Sequence, residues 1–231
     1  MSEWWTYSPS DFLLFSPRTY YRLFELYNAA IWPAQVVVLA LGAVVLLLLV
    51  RAPPWRGWFV AAVLAGCWLW VSQVYQAQHF VTINWAAEYF AHAFAFQALL
   101  LSWTGGVRNR FQFRPLSDPA GAIGFGVAGF ALLLYPLIGP LLLGRPWSQV
   151  EVFGVAPDPT VILTLGVLIA AERSHWFLLV LPLCWCAVGS ATLWTMGSPD
   201  WPVLPAAAAF GLALAIWKPL ARSNQESLRR S

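Results

Sequence analysis

The sequence predicts an all-α membrane protein. The expected fold is a polytopic transmembrane helix bundle of seven spans, the fifth short or broken, preceded by an N-terminal interfacial amphipathic helix. Three observations predict it. The 231-residue chain is 60% hydrophobic and only 10% charged, whereas a soluble domain carries about a quarter charged residues. Apolar stretches of span length recur along it, and the polar gaps between them are too short to build a separate soluble core. The arginines fall mainly in every second gap, as the positive-inside rule requires of a multi-pass protein. The net charge of +3 points to no nucleic-acid partner; the surrounding lipid is the expected environment.

The organisation expected is an outer-face segment over 1–28, the transmembrane bundle over 29–221, and a polar cytoplasmic tail over 222–231. Met1–Thr6 lacks the basic start of a cleavable signal, and the first apolar run exceeds a signal core in length. That run is therefore expected to be a retained span. Within the outer segment, Ser16 can cap a helix that has Pro17 at its first position, where a missing N–H costs nothing. Tyr20, Tyr21, Leu23, Phe24 and Tyr27 then alternate with Arg18, Arg22 and Glu25, a pattern suited to a helix lying in the membrane interface. Trp4, Trp5, Phe12 and Phe15 would help to anchor it.

A hydrocarbon core ~30 Å thick needs about 20 helical residues. The expected spans are Ala29–Val50, Trp58–Gln78, Trp85–Thr104, Pro119–Leu143, Thr160–Ala171, His175–Met196 and Trp201–Trp217. Thr160–Ala171 is short, reaching only about 18 Å. With seven spans and the N-terminus outside, the inner segments hold ten Lys and Arg residues and the outer ones three, Arg18, Arg22 and Arg145. If the fifth segment does not cross and both termini are cytoplasmic, the split falls to eight against five, so seven spans are favoured.

Ten tryptophans (Trp32, Trp55, Trp58, Trp85, Trp103, Trp147, Trp176, Trp194, Trp201 and Trp217) lie near these span ends, as an aromatic belt would. Trp68, Trp70 and Trp185 lie deeper, where packing is the default role. Gly121, Gly124, Gly126 and Gly129 would let the fourth span approach a neighbour closely. Cys67, Cys184 and Cys186 fall in apolar runs and are expected to be small buried residues; Cys184 and Cys186 would point to different faces of a helix.

Candidate chemistry concentrates toward the outer side. Asn84, Glu88, His92 and Gln97 interrupt the otherwise apolar third span, and Glu88 and His92 are four apart on one face. Ionisable groups at that depth usually face a cavity or a partner. They could form a proton relay, two ligands of a metal site, or a hydrogen bond that only fixes packing. His79 ends the second span and could approach Glu88 through a short turn. Further on, Pro136 and Pro140 weaken the fourth span. After Glu151, Asp158 could cap the short fifth helix with Pro159 at its first position, so that the positive end of that helix would face an outer cavity. The alternative is an ordinary capped helix with Glu151 and Asp158 in water. The site expected is one outward-open pocket built from Glu88, His92, His79, Glu151 and Asp158, with Asp200 near its rim and Asn84 and Gln97 as further ligand- or proton-binding candidates.

No phosphate-binding loop, zinc-protease or nucleophile-elbow motif occurs, so no catalytic residue is assigned and an enzyme is not the favoured class. Seven spans with an outer N-terminus are also the topology of microbial rhodopsins. The only lysine, Lys218, lies at the cytoplasmic end of the last span, too far out for a retinal Schiff base. Three runs carry a resemblance: Phe15-Ser16-Pro17-Arg18-Thr19-Tyr20 continuing to Leu26-Tyr27-Asn28, Thr82-Ile83-Asn84-Trp85-Ala86, and Val152-Phe153-Gly154-Val155-Ala156-Pro157-Asp158-Pro159-Thr160. Over nearly its whole length the chain resembles an uncharacterised bacterial family of multi-pass membrane proteins, domain of unknown function 6064. The resemblance implies a bacterial inner-membrane location and no activity, cofactor or site residue.

The favoured expectation is transport of a small solute or ion through the outer pocket, by a protein whose C-terminus is cytoplasmic. The alternatives are an accessory or assembly subunit of a membrane complex, or a homo-oligomer of that kind, and a metal- or haem-binding redox protein. No cofactor is assigned; were a metal present, His79, Glu88 and His92 would be its ligands.

Overall fold

The computed structural model describes residues 14–108, 110–173 and 175–213. Trp4, Trp5, Phe12, Trp217, Lys218 and the tail over 222–231 lie outside the described residues. Within them the chain is helical: α1 is Pro17–Ala30, α2 Ala34–Val50, α3 Arg56–Thr82, and α4 Ala87–Leu101, prolonged by a wider turn over Ser102–Val107. Beyond it come α5 Pro119–Leu142, α6 Pro157–Ala170, α7 Trp176–Thr195 and α8 Val203–Ala213.

Three of these helices, α3, α5 and α7, are long and apolar enough to cross a membrane. The pair α1 and α2, bent by 89° at the break between them, makes a fourth if it is one span. The helices α6 and α8 are apolar but shorter. The outward faces of α2, α3, α4, α5 and α7 carry large apolar side chains, among them Leu47, Leu69, Leu99, Leu133 and Val180. Apolar cover on that scale is what lipid, not water, would solvate.

Helix α1 starts as the sequence predicts. Ser16 is its N-cap, its hydroxyl accepting from Thr19 N–H at 3.2 Å, and Pro17 occupies the first turn. Its apolar side turns inward: Tyr20, Leu23, Phe24 and Tyr27 are buried against the bundle while Arg18 and Arg22 stay exposed. Helix α5 begins by the same rule: Asp118 accepts from Ala120 and Gly121 N–H, and Pro119 follows. Near Pro136 and Pro140 it widens into π-type turns over Phe130–Leu134 and Ile138–Leu142, which accommodate the missing proline donors.

The centre of the molecule is α6. Every residue from Glu151 to Ala171 is buried. A helix that is apolar all round is stable only when covered on all sides, and α3, α5 and α7 provide that cover. The fifth apolar segment is short because it is the core, wrapped by longer helices. It also starts earlier than expected, at Pro157 rather than Pro159, with Ala156 as N-cap. Asp158 therefore does not cap it. Thr160 instead ties the helix to the chain before it: its hydroxyl donates to Ala156 C=O and accepts Gly154 N–H at 2.8 Å.

Both ends of the bundle are tied. At one, Arg114 N–H bonds Ala170 C=O, Glu172 N–H bonds Gln112 C=O, and the Arg56 guanidinium donates to Phe113 C=O at 2.9 Å. At the other, α1 pins the connection between α5 and α6. The Tyr27 hydroxyl donates to Val155 C=O, and the Asn28 amide donates to Ser148 and Val150 C=O.

The tryptophans divide as expected. Nine belt positions, Trp32, Trp55, Trp58, Trp85, Trp103, Trp147, Trp176, Trp194 and Trp201, are exposed on the described surface. The three deep ones do more than pack, since each donates its indole N–H: Trp68 to Thr164, Trp70 to the Tyr27 hydroxyl, and Trp185 to Asp158. Cys184 and Cys186 do point apart: Cys186 and Cys67 are buried, whereas Cys184 is exposed, contrary to the expectation that all three are buried.

Candidate functional site

The N-terminal end of α6 carries the chemistry. Asp158, 1% exposed, stands in its first turn. One carboxylate oxygen accepts the Trp185 indole N–H at 2.7 Å from α7, and the other accepts the Tyr135 hydroxyl at 3.2 Å from α5. Asp158 thus joins three helices in place of capping its own.

Beside it the connection over 143–156 brings in Arg145 and Glu151. Arg145 meets Asp200 in a two-pronged pair, Nη1 to Oδ2 at 3.0 Å and Nη2 to Oδ1 at 3.1 Å. The same Nη2 donates to Ser198 Oγ at 2.6 Å, and Ser198 donates to Asp200 at 2.5 Å. The guanidinium lies 4.1 Å from the Tyr21 ring centroid, a cation–π contact, and the Tyr21 hydroxyl bonds Ser198. Burial works against the charge on Arg145, but the bonds to Asp200 outweigh it and raise the guanidinium pKa.

Glu151 is 7% exposed, and its Oε2 has no hydrogen-bond partner. Burial first, and then the charges of Asp158 and Asp200, hold its carboxyl well above the usual value of 4.5, against the pull of Arg145. The cluster thus has three carboxylates, Glu151, Asp158 and Asp200, with one arginine engaged to the last of them.

A cavity of about 280 Å³ opens on Asp158. Asp158 lies in its wall with Tyr20, Tyr75, Phe80, Phe90 and Trp185. Asn84 lines it too, with its side-chain oxygen accepting Ala86 N–H at 3.0 Å. A second, wider groove of about 630 Å³ lies between α1 and the end of α3, lined by Arg18, Arg22, Gln78 and His79.

The single pocket expected from the sequence is therefore divided. Glu151, Asp158 and Asp200 come together, and Asn84 shares a cavity with Asp158. His79 belongs to the other groove; its Nδ1 bonds Val74 C=O, and its ring meets the edge of Tyr27. Glu88 and His92 join neither. Both are exposed, and His92 Nδ1 bonds the backbone oxygen of Glu88 at 2.7 Å, not its carboxylate. The reason is the register of α4: Ala87, Ala91, Phe94, Ala98 and Leu101 form its buried stripe, so 88 and 92 face away. Gln97 is on the buried side, its amide N–H donating to Leu178 C=O while Oε1 lacks a partner. Among the described residues no three His, Cys, Asp or Glu side chains converge as a metal site, so His79, Glu88 and His92 do not form the ligand set considered above. Glu151 and Asp158 are buried, which overturns the alternative of solvated charges.

Sequence reasoning missed Arg145, counted only as a loop charge, and Tyr135 and Ser198, which stood out in no pattern. Trp185 had a signal, its depth in a span, but no partner could be named.

The three runs that carried the family resemblance converge here. Phe15 and Tyr20 from the first, Asn84 to Ala86 from the second, and Asp158 from the third all line the smaller cavity. The chain belongs to the family of unknown function DUF6064. The match covers residues 18–226, so Glu151, Asp158 and Asp200 and the helices that hold them lie within the DUF6064 region. No curated protein and no solved structure matches the chain. Membership in DUF6064 brings no activity with it, and function has to be argued from the site.

Proposed function

We propose that this DUF6064 protein is a seven-span protein of the bacterial cytoplasmic membrane that binds and moves a small solute or ion through the cavity at Asp158. The observation that carries this reading is the buried acidic cluster. Asp158 borders a cavity inside an apolar helix bundle, and Glu151 and the Arg145–Asp200 pair lie close enough to act on one another's charge. Charge at such a position is costly and in membrane bundles marks substrate or ion pathways. A helix that begins inside the protein and lines a cavity with its first turn is also a recurrent way of building solute sites in membranes. The orientation, with the N-terminus and this cavity outside, is supported by the arginines. Arg51, Arg56, Arg108, Arg110, Arg114 and Arg173 fall in segments on the opposite side from Arg18, Arg22 and Arg145.

The test is flux in proteoliposomes. Uptake of radiolabelled acetate, glycine, glucose and tetramethylammonium is followed, with an internal pH dye reporting protons. At least one should move faster than in protein-free vesicles, and Asp158→Asn should abolish the difference while Glu88→Gln and His92→Asn leave it intact. Movement of none, or movement indifferent to Asp158→Asn, would overturn the reading.

A second reading, a subunit of a membrane complex or a homo-oligomer, is favoured by Glu88 and His92 themselves. They are exposed on α4 beside Tyr89, Phe96 and Leu99, and ionisable groups facing lipid ordinarily find a partner. Cross-linking from a cysteine placed at Leu99 in native membranes tests it; a species of monomer mass alone would remove it.

A further inference from the structure

We propose that the solute for which the smaller cavity is built is a small organic cation, an alkylammonium ion. The inference rests on the pocket reading above and narrows its solute. The cavity walls are aromatic: Tyr20, Tyr75, Phe80, Phe90 and Trp185. Among the described lining residues Asp158 is the only charged side chain. Ring faces carry partial negative charge and attract cations, most strongly where water is excluded. A carboxylate set among aromatic rings is therefore complementary to a positive group with an apolar shell.

The other ligand classes fit less well. An anion would meet Asp158 directly, with the charge of Asp200 near enough to act on it. A neutral solute would leave the buried carboxylate uncompensated. A hard metal cation wants six or more oxygen ligands, and this wall supplies mainly carbon. The donors already on Asp158, the Trp185 indole and the Tyr135 hydroxyl, are both neutral. They orient the carboxylate and leave its charge in place, while Arg145, the cation nearest in the cluster, is engaged by Asp200 and Ser198.

Size agrees. At about 280 Å³ the cavity is at the low end for small-molecule sites. Gly189 helps keep it open, since a Cβ there would stand 3.4 Å from Asp158 Oδ1 and 2.7 Å from Leu204 Cδ1.

Calorimetric titration of the full-length protein in detergent tests the inference. The probe is tetramethylammonium chloride, with tert-butanol as a neutral solute of similar shape and sodium chloride as the ionic control. Tetramethylammonium should bind saturably, and the two controls should not. Asp158→Asn should weaken binding at least tenfold. Phe90→Leu, a milder change that removes one aromatic wall, should weaken it about threefold or more even if the first variant does not fold. No saturable binding to the wild type, equal binding of tert-butanol, or unchanged binding in a folded Phe90→Leu protein would overturn the proposal. The two readings fail separately. Asp158-dependent flux of acetate or glucose without tetramethylammonium binding sinks the cation and keeps transport; tetramethylammonium binding without flux of any solute does the reverse.

Discussion

Gly124 of α5 and Gly166 of α6 lie backbone against backbone, each filling the space a side chain on the other would need. A Cβ on Gly124 would stand 2.6 Å from Gly166 O and 2.5 Å from Ala170 N, and one on Gly166 would stand 2.7 Å from Gly124 O and 2.5 Å from Ala128 N. Small residues at a crossing let two apolar helices pack through their backbones where no hydrophobic force separates protein from lipid. Gly166→Ala should therefore force the helices apart and destabilise by about 1–3 kcal/mol. Gly126→Ala, where nothing lies within 4 Å of the added carbon, should stay within about 0.5 kcal/mol. Thermal unfolding in detergent, followed by intrinsic fluorescence, compares the two.

The Arg145–Asp200 pair should behave as one unit. Both side chains are largely buried, 14% and 7% exposed, so removing one strands the other. Arg145→Gln is expected to cost about 3–5 kcal/mol, a fall in thermal midpoint on the order of 10 °C. The double variant Arg145→Gln/Asp200→Asn should cost less than the sum of the single ones, because no unpaired charge remains. Additive losses would show that the pair contributes nothing as a pair.

Glu151 makes stability depend on pH in a defined direction. Its carboxyl pKa is raised in the folded protein above the 4.5 of the open chain, chiefly by burial. Between 4.5 and that raised value the native state binds more protons than the unfolded one. Stability therefore falls as pH rises through this window. Glu151→Gln removes the titration. Its thermal midpoint relative to wild type should be unchanged below pH 4.5 and should gain steadily as pH is raised above it.

Trp68 and Thr164 provide a buried hydrogen bond of 2.8 Å between α3 and the core helix. Thr164→Val strands an indole N–H on a side chain that is 0% exposed, at a cost of about 1–3 kcal/mol. In a Trp68→Phe background the same substitution should cost less than about 1 kcal/mol. A double-mutant cycle in detergent reads the difference directly.

Much of the fold was legible because its signals are local. The starts of α1 and α5 follow from Ser16-Pro17 and Asp118-Pro119, each a polar cap before a proline. The exposed tryptophans mark helix ends, since an indole prefers a boundary whatever its neighbours are. The site was half legible. Asp158, Glu151 and Asn84 stood out as polar residues in apolar surroundings; Asp158 and Asn84 do line one cavity, and Glu151 is buried near Asp158. Glu88 and His92 stood out by the same criterion and face outward, because four-residue spacing tells which residues share a face and not which way that face turns.

The amino-acid sequence by itself determined that this chain is a set of apolar helices, roughly where each begins, and which polar residues it must accommodate. Those properties depend on composition and on spacing within single helices. Only the tertiary structure decided that α6 is the buried centre. A helix apolar on every side offers no preferred direction, so its place is set by what packs around it. The partners of the charges were decided there too: Arg145 and Asp200 are 55 residues apart, and Trp185 and Asp158 are 27 apart. No local pattern encodes such pairings. They form because a buried polar group must find a partner among whichever groups the packing brings near.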